Sequence, residues 1–152
     1  MDLDDQLEKL VREKGVQRQI IFTSENHRLI RDWKKLVPES LTLLWNRGTE
    51  EQLTKKMDDL RKTHFAGVTH LQIHVQVGDL NSEEPFMPSS KFLKALGKEL
   101  QYQDIVFQTF SAECKDQKAY EKLLALGVES FATDYPEVVL SAVRSFREKS
   151  PQ

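Results

Sequence analysis

QDIVFQTFSAECKDQKAYEKLLALGVESFATDYPEVVL, residues 103–140, repeats one structural unit twice. DIVFQTF (104–110) is short and rich in β-branched and aromatic residues, the composition of a strand. In AYEKLLALG (119–127), Tyr120, Leu123 and Leu124 recur at helical steps, which predicts an amphipathic helix with one buried stripe. Gly127 stands where a helix stops, VESFATD (128–134) reads as the next strand, and Pro136 sits where another helix starts. That last helix, PEVVLSAVRSF (136–146), places Val139, Leu140, Val143 and Phe146 on its apolar side. Strand and helix alternating in this way predict parallel strands joined by right-handed crossovers.

The same alternation extends back to the start of the chain. RQIIFTS (18–24), SLTLLWN (40–46) and THLQIHVQV (69–77) read as three more strands. Between them HRLIRDWKKLV (27–37) spaces Leu29, Ile30, Trp33 and Leu36 helically, and EEQLTKKMDDLRKT (50–63) does so with Leu53, Met57 and Leu60. KFLKALGKEL (91–100) follows the third strand, with Ser89 or Ser90 as its cap, and LEKLVREKG (7–15) opens the chain as a helix that stops at Gly15. The longest irregular stretch, GDLNSEEPFMPSS (78–90), follows the third strand, at the end where parallel α/β proteins hold their ligands. No Ser/Gly linker or low-complexity tract interrupts the pattern, so residues 1–152 read as one α/β domain.

Composition narrows the function classes. A formal net charge of -2 leaves no excess of Lys and Arg to displace counterions, which argues against nucleic acid or a membrane surface as partner. No apolar run approaches the roughly 18 residues of a membrane span. The acidic, helix-periodic MDLDDQLEKL is not a secretory signal. The one cysteine, Cys114, excludes an internal disulfide and suits a reducing compartment, so a cytoplasmic location is expected. Whether residue 1 is the natural start stays open.

Two architectures compete. Five βα units in this length match an open, flavodoxin-like doubly wound sheet, which would make the chain a non-catalytic binding or interaction module, whereas a complete (β/α)8 barrel takes about 250 residues. Strand chemistry favours a barrel arc. Central strands of an open sheet are buried on both faces and read as continuous apolar runs. HLQIHVQ instead alternates Leu71, Ile73 and Val75 with His70, Gln72, His74 and Gln76, and DIVFQTF sets Gln108 between Phe107 and Thr109. An edge strand with one wet face would alternate similarly. Strand order discriminates: chain order means a barrel arc, 2-1-3-4-5 an open sheet.

The closing segment resembles that of the glycerophosphodiester phosphodiesterase family, in Gly127, Val128, Thr133, Asp134 and Pro136. Phe110, within QTFSAE, stands near the place of that family's seventh-strand Trp, although the surrounding motif departs from the aromatic-rich pattern. QIIFTSENHRLIRDWKKLVPESLTLLWN (19–46) resembles the family's fourth and fifth strands, with Ser24 at a serine of the pattern and Glu25 where an aromatic is usual. The resemblance implies strands four to eight of a (β/α)8 TIM barrel, and a complete protein that hydrolyses a small-molecule glycerophosphodiester in lipid metabolism. It also implies a divalent cation, Mg or Ca, in the complete enzyme, with no cofactor expected in this chain. The family's His-Arg-Gly motif, Glu-x-Asp metal pair and second histidine have no match here: of His27, His64, His70 and His74, none precedes Arg-Gly. The chain alone is therefore expected to be inactive, with no catalytic or metal residues. A complementing N-terminal half, or self-association through edges at RQIIFTS and VESFATD, would supply the missing wall.

Strand parity places His74 with Gln76, and Gln108 with Phe110, on shared faces. Together with Trp45 these are the candidate substrate-binding residues, His74 as donor to a polar head group; the competing readings are a satisfied lumen histidine for His74 and core packing for Trp45. Asp134 is expected to cap the following helix rather than to orient the pocket. Asp58, Asp59, Glu83 and Glu84 read as solvated carboxylates, since their spacing matches no metal loop. No phosphate loop or nucleophile elbow is present.

Overall fold

The computed structural model describes residues 3–150, with side chains from residue 5 onward. Its main sheet holds five parallel strands: β1 (Ile21–Ser24), β2 (Leu41–Asn46), β3 (His70–His74), β6 (Val106–Phe110) and β7 (Ser130–Ala132). They pair in the order β1-β2-β3-β6-β7, which is chain order. Between β3 and β6 lies a two-residue antiparallel pairing of β4 (Gln76–Val77) with β5 (Phe86–Met87). The helices are α1 (Leu3–Lys14), α2 (His27–Leu36), α3 (Glu50–Arg61), α4 (Ser90–Tyr102), α5 (Gln117–Ala125) and α6 (Pro136–Lys149).

Each crossover helix starts on a capping residue visible in the sequence. Asn26 accepts from the Arg28 N–H, Thr49 forms a capping box with Gln52, Ser89 accepts from Phe92, and Asp116 accepts from Lys118. These oxygens satisfy first-turn donors that have no partner within the helix. Ser89 takes the role that Ser89 and Ser90 had shared as candidates. Asp134 does not cap α6. No side chain caps α6: the N-cap residue Tyr135 gives its own N–H to the Thr133 hydroxyl at 3.0 Å, and Asp134 stays exposed.

Strand parity divides the sheet into two unlike faces. Leu44, Leu71, Ile73 and Phe107 point to one side and join Ile30, Leu53, Met57, Leu60, Leu93, Leu100 and Leu123 of the helices in one buried cluster. Phe22 stacks on Trp33 on that same side, 4.8 Å between centroids. The other side carries Leu43, Trp45, His70, Gln72, His74, Gln108, Phe110 and Ser130, aligned by register across the strands. No described helix packs there, and its lower rim leaves Ile21 47% and Leu41 40% exposed. A doubly wound sheet is covered on both faces. Helices on one face, with strands in chain order, make an unclosed arc of a barrel and rule out the open flavodoxin-like alternative.

The alternation in THLQIHVQV spans two sheets rather than one strand. The Val75 N–H still reaches the Phe110 carbonyl at 2.8 Å, but β6 ends at Phe110 and offers no further partner. The chain leaves the sheet there, and Gln76 pairs with Met87 instead. Phe86 and Met87, inside the stretch read as irregular, form the other side of that pairing.

α4 approaches the turn into β7 closely enough to require glycine on both sides. A Cβ at Gly97 would lie 2.8 Å from the Leu126 carbonyl oxygen, and Gly127 has φ +97°. Alanine is the better helix former, by about 1 kcal/mol. The contact with backbone outweighs that preference, because overpacking costs about 1–3 kcal/mol. Gly97→Ala is therefore expected to lower the urea midpoint, whereas a raised midpoint would show that α4 has room to move outward.

Candidate functional site

The uncovered face ends, at the C-terminal tips of β2, β3 and β6, in a cleft of about 240 Å³ lined by Arg47, Gly48, His74, Gln76, Met87 and Phe110, among others. Parallel strands present their loops at this end, so residues from distant parts of the chain converge on one opening. His74 forms its floor. The imidazole stacks on Trp45 with centroids 5.6 Å apart and takes the Phe110 ring edge-on at 5.1 Å. The Arg47 guanidinium lies 5.8 Å from the Trp45 ring centroid, close enough for a cation–π attraction.

Below the aromatic layer runs a chain of hydrogen bonds across three strands. The Gln72 amide nitrogen donates to the Gln108 carbonyl oxygen, and the Gln108 amide nitrogen donates to the Ser130 hydroxyl at 2.8 Å. The remaining oxygen of Gln72 lies 3.2 Å from His74 Nε2. Register explains the alignment: Trp45 pairs with Gln72, Gln72 with Gln108, and Gln108 with Ser130. Gln72 is only 9% exposed, and the pairing offsets the cost of burying its amide. Lower still, His70 Nδ1 and the Thr69 hydroxyl are 2.9 Å apart.

Of the candidate residues, His74, Gln76 and Phe110 line the cleft itself, Trp45 supports His74 from the side, and Gln108 lies one layer deeper. Trp45 is half-buried on the open face and makes no part of the helix-side core. Arg47, Gln72, Met87 and Ser130 were not singled out from sequence. Arg47 and Gln72 carried usable signals, the first immediately after a strand, the second at the parity of His70 and His74. Met87 reaches the cleft only through the β4–β5 pairing.

A larger cleft, about 620 Å³, lies beside this one between the loops that follow β3 and β6, and includes Gly78, Asp79, Cys114 and Lys115. Cys114 is a free, buried thiol whose carbonyl accepts from the Tyr120 hydroxyl at 2.9 Å. That hydroxyl also lies 3.1 Å from Thr133, tying the Thr133-Asp134 motif to α5.

The acidic residues serve local structure. Asp58 and Asp59 pair with Arg61 and Lys62 at the surface. Glu84 accepts from the Ser90 N–H and hydroxyl at the start of α4, bonds that hold its carboxyl below the ordinary range. Among the described residues no three His, Cys, Asp or Glu side chains gather as a metal site. The cleft's own groups, amide, imidazole, guanidinium and aromatic rings, do not fit a hard dication, which takes oxygen ligands and chiefly carboxylates.

No protein-family model matches the sequence, and no curated protein matches it significantly. Solved structures do match its fold. A protein described as a glycerophosphoryl diester phosphodiesterase from Silicibacter pomeroyi superposes with TM-score 0.66 at 13% identity, over 95% of this chain and 44% of that one. Two from Parabacteroides distasonis give TM-scores of 0.61 and 0.57 at 15% and 16% identity, covering 95% and 98% of this chain. The chain covers 48% and 56% of those two, so it spans about half the length of the structures it matches. At such identities the likeness is one of fold: the arc is architecture shared with phosphodiesterase barrels. No described helix is long and apolar enough to cross a membrane.

The two histidines of the open face make stability depend on pH. Burial lowers the His74 pKa, with a further push from the Arg47 cation, and burial also lowers that of His70 against the opposing Thr42 backbone and Glu129. The unfolded chain therefore takes up protons first as pH falls below about 6.5. Stability contributed by the neutral rings is complete above that value and is lost as pH falls through the folded pKa values. Urea midpoints are expected to decline on acidification through that window, and the decline should flatten in a His70→Gln/His74→Phe double variant. An equal slope in both proteins would contradict this assignment.

Proposed function

We propose that this chain is the C-terminal, substrate-facing part of a glycerophosphodiester phosphodiesterase-type barrel, corresponding approximately to strands four to eight. The observation that carries the reading is the chain-order arc, which superposes almost end to end on about half of such a barrel. The complete assembly would hydrolyse a glycerophosphodiester to an alcohol and glycerol phosphate in the cytoplasm, as part of lipid metabolism. His74, Gln76, Gln108, Phe110 and Trp45 form its substrate-binding wall, whose uncharged side chains shape and orient the ligand. Catalytic groups and the Mg or Ca ion would belong to the complementing strands, since among the described residues no three His, Cys, Asp or Glu side chains gather as a metal site.

The completing wall has a defined chemistry. β1 and β7 each have one partner in the sheet, so each leaves a parallel ladder edge unpaired among the described residues. Ile21 and Leu41 expose apolar surface on the face that such a wall would cover. Complementing βα units, from a longer polypeptide or another chain, would pair with both edges, and a second copy would serve in their absence.

The purified chain with magnesium or calcium is expected to show no diester hydrolysis, and co-expression with strands carrying His-Arg-Gly and Glu-x-Asp should generate it. Turnover by this chain alone would overturn the division of labour. Sedimentation equilibrium is expected to show reversible self-association of the isolated chain; a monomer at all concentrations would remove the argument from exposed edges.

A further inference from the structure

We infer that residues 79–84, the tip between β4 and β5, form a lid over the 620 Å³ cleft, held shut by two separable contacts: Leu80 against the Cys114 cluster, and Glu84 at the start of α4. Lid movement does not depend on the phosphodiesterase reading.

The tip is built to move as one piece. Asp79 organises it: its carboxylate accepts from the Asn81 N–H at 2.9 Å, and its carbonyl accepts from the Ser82 N–H at 3.1 Å and hydroxyl at 2.7 Å. The base is equally defined. The Gly78 N–H donates to the Pro85 carbonyl at 2.7 Å, beside the β4–β5 pairing, and Pro85, Phe86 and Pro88 are buried. A self-contained turn on a fixed base leaves its two junctions, after Gly78 and before Pro85, to absorb a change of backbone angle. The smaller cleft takes Gln76 and Met87 from that base, so lid movement controls access to the larger cleft.

Two contacts tie the tip to the body. Leu80 is half-buried, whereas Asp79 and residues 81–84 are exposed. Together with Val77 it packs on the buried cluster of Cys114, Ala119, Tyr120 and Ala142. Leu80 and Cys114 lie on opposite walls of the cleft, so lifting the leucine uncovers the thiol. Glu84 accepts from both the N–H and the hydroxyl of Ser90, the first residue of α4. First-turn N–H groups lack partners within a helix and carry the positive end of its dipole, which favours a carboxylate there. These bonds hold the Glu84 carboxyl below the ordinary range. The contact is exposed and local, so it can break without unfolding the core.

Cys114, the chain's one cysteine, reports on the lid. Its reaction with dithiobis(nitrobenzoate), followed by absorbance on the full 152-residue chain, is expected to run well below the rate of the urea-unfolded chain. Glu84→Ala removes both bonds to Ser90 and should speed labelling about tenfold, because reaction through a transient opening scales with its population. Leu80→Ala should also speed it about tenfold, through lost apolar burial. Low urea should hardly change the rate in the parent or in either variant, since lifting so short a tip exposes little surface. A parent thiol as reactive as in the unfolded chain would overturn the proposal, and so would an unchanged rate in either variant. A urea slope equal to that of global unfolding would do the same, by showing that no separate opening exists. Diester hydrolysis enters none of these readouts, so failure of the phosphodiesterase reading would leave them standing.

Discussion

Parallel pairing of five short strands, with every crossover returning on the same side, constrains everything else in this molecule. A right-handed βα unit that repeats without reversing adds each new strand to the same edge and each new helix to the same layer. One face of the sheet is thereby dried by Leu and Ile side chains from the helices, while no described helix covers the other. Reversal at a single crossover would have buried His74 and the glutamine chain under helices.

The cleft follows from that register. Strands aligned residue against residue put Gln72, Gln108 and Ser130 in one row, and His74 beside Phe110 in the next. Two amides and a hydroxyl in a row can satisfy one another, so polar groups survive on a half-buried surface at little cost. The row also gives the histidine a defined orientation. Trp45 supplies a ring surface from the side, against which both the imidazole and the neighbouring cation lie.

The open sheet is a physical condition of the protein. Leu43 is tucked away by its neighbours, yet Ile21 and Leu41 on the same face keep nearly half of their surface in solvent. In a closed barrel such side chains fill interior layers contributed by all strands. The likeness to phosphodiesterase barrels extends over about half their length and is a likeness of fold. Asp58 and Asp59 in this arc pair with Arg61 and Lys62 at the surface, and Glu84 holds the start of α4.

Local chemistry determined much of the structure from the sequence by itself. Helical spacing marked the buried stripes, Asn26, Thr49, Ser89 and Asp116 marked helix starts, and the alternation of His70, Gln72 and His74 with Leu71 and Ile73 marked a sheet with unlike faces. These signals depend on neighbours within a few residues, so the linear pattern contains them. Tertiary structure alone decided that Gln76 leaves the sheet, because that depends on β6 ending at Phe110, more than thirty positions away. It alone brought Met87 into the cleft, left Asp134 without a capping role at α6, and set Arg47 over Trp45. Each of these is a competition among groups brought together by folding, and residue spacing does not record which of them wins.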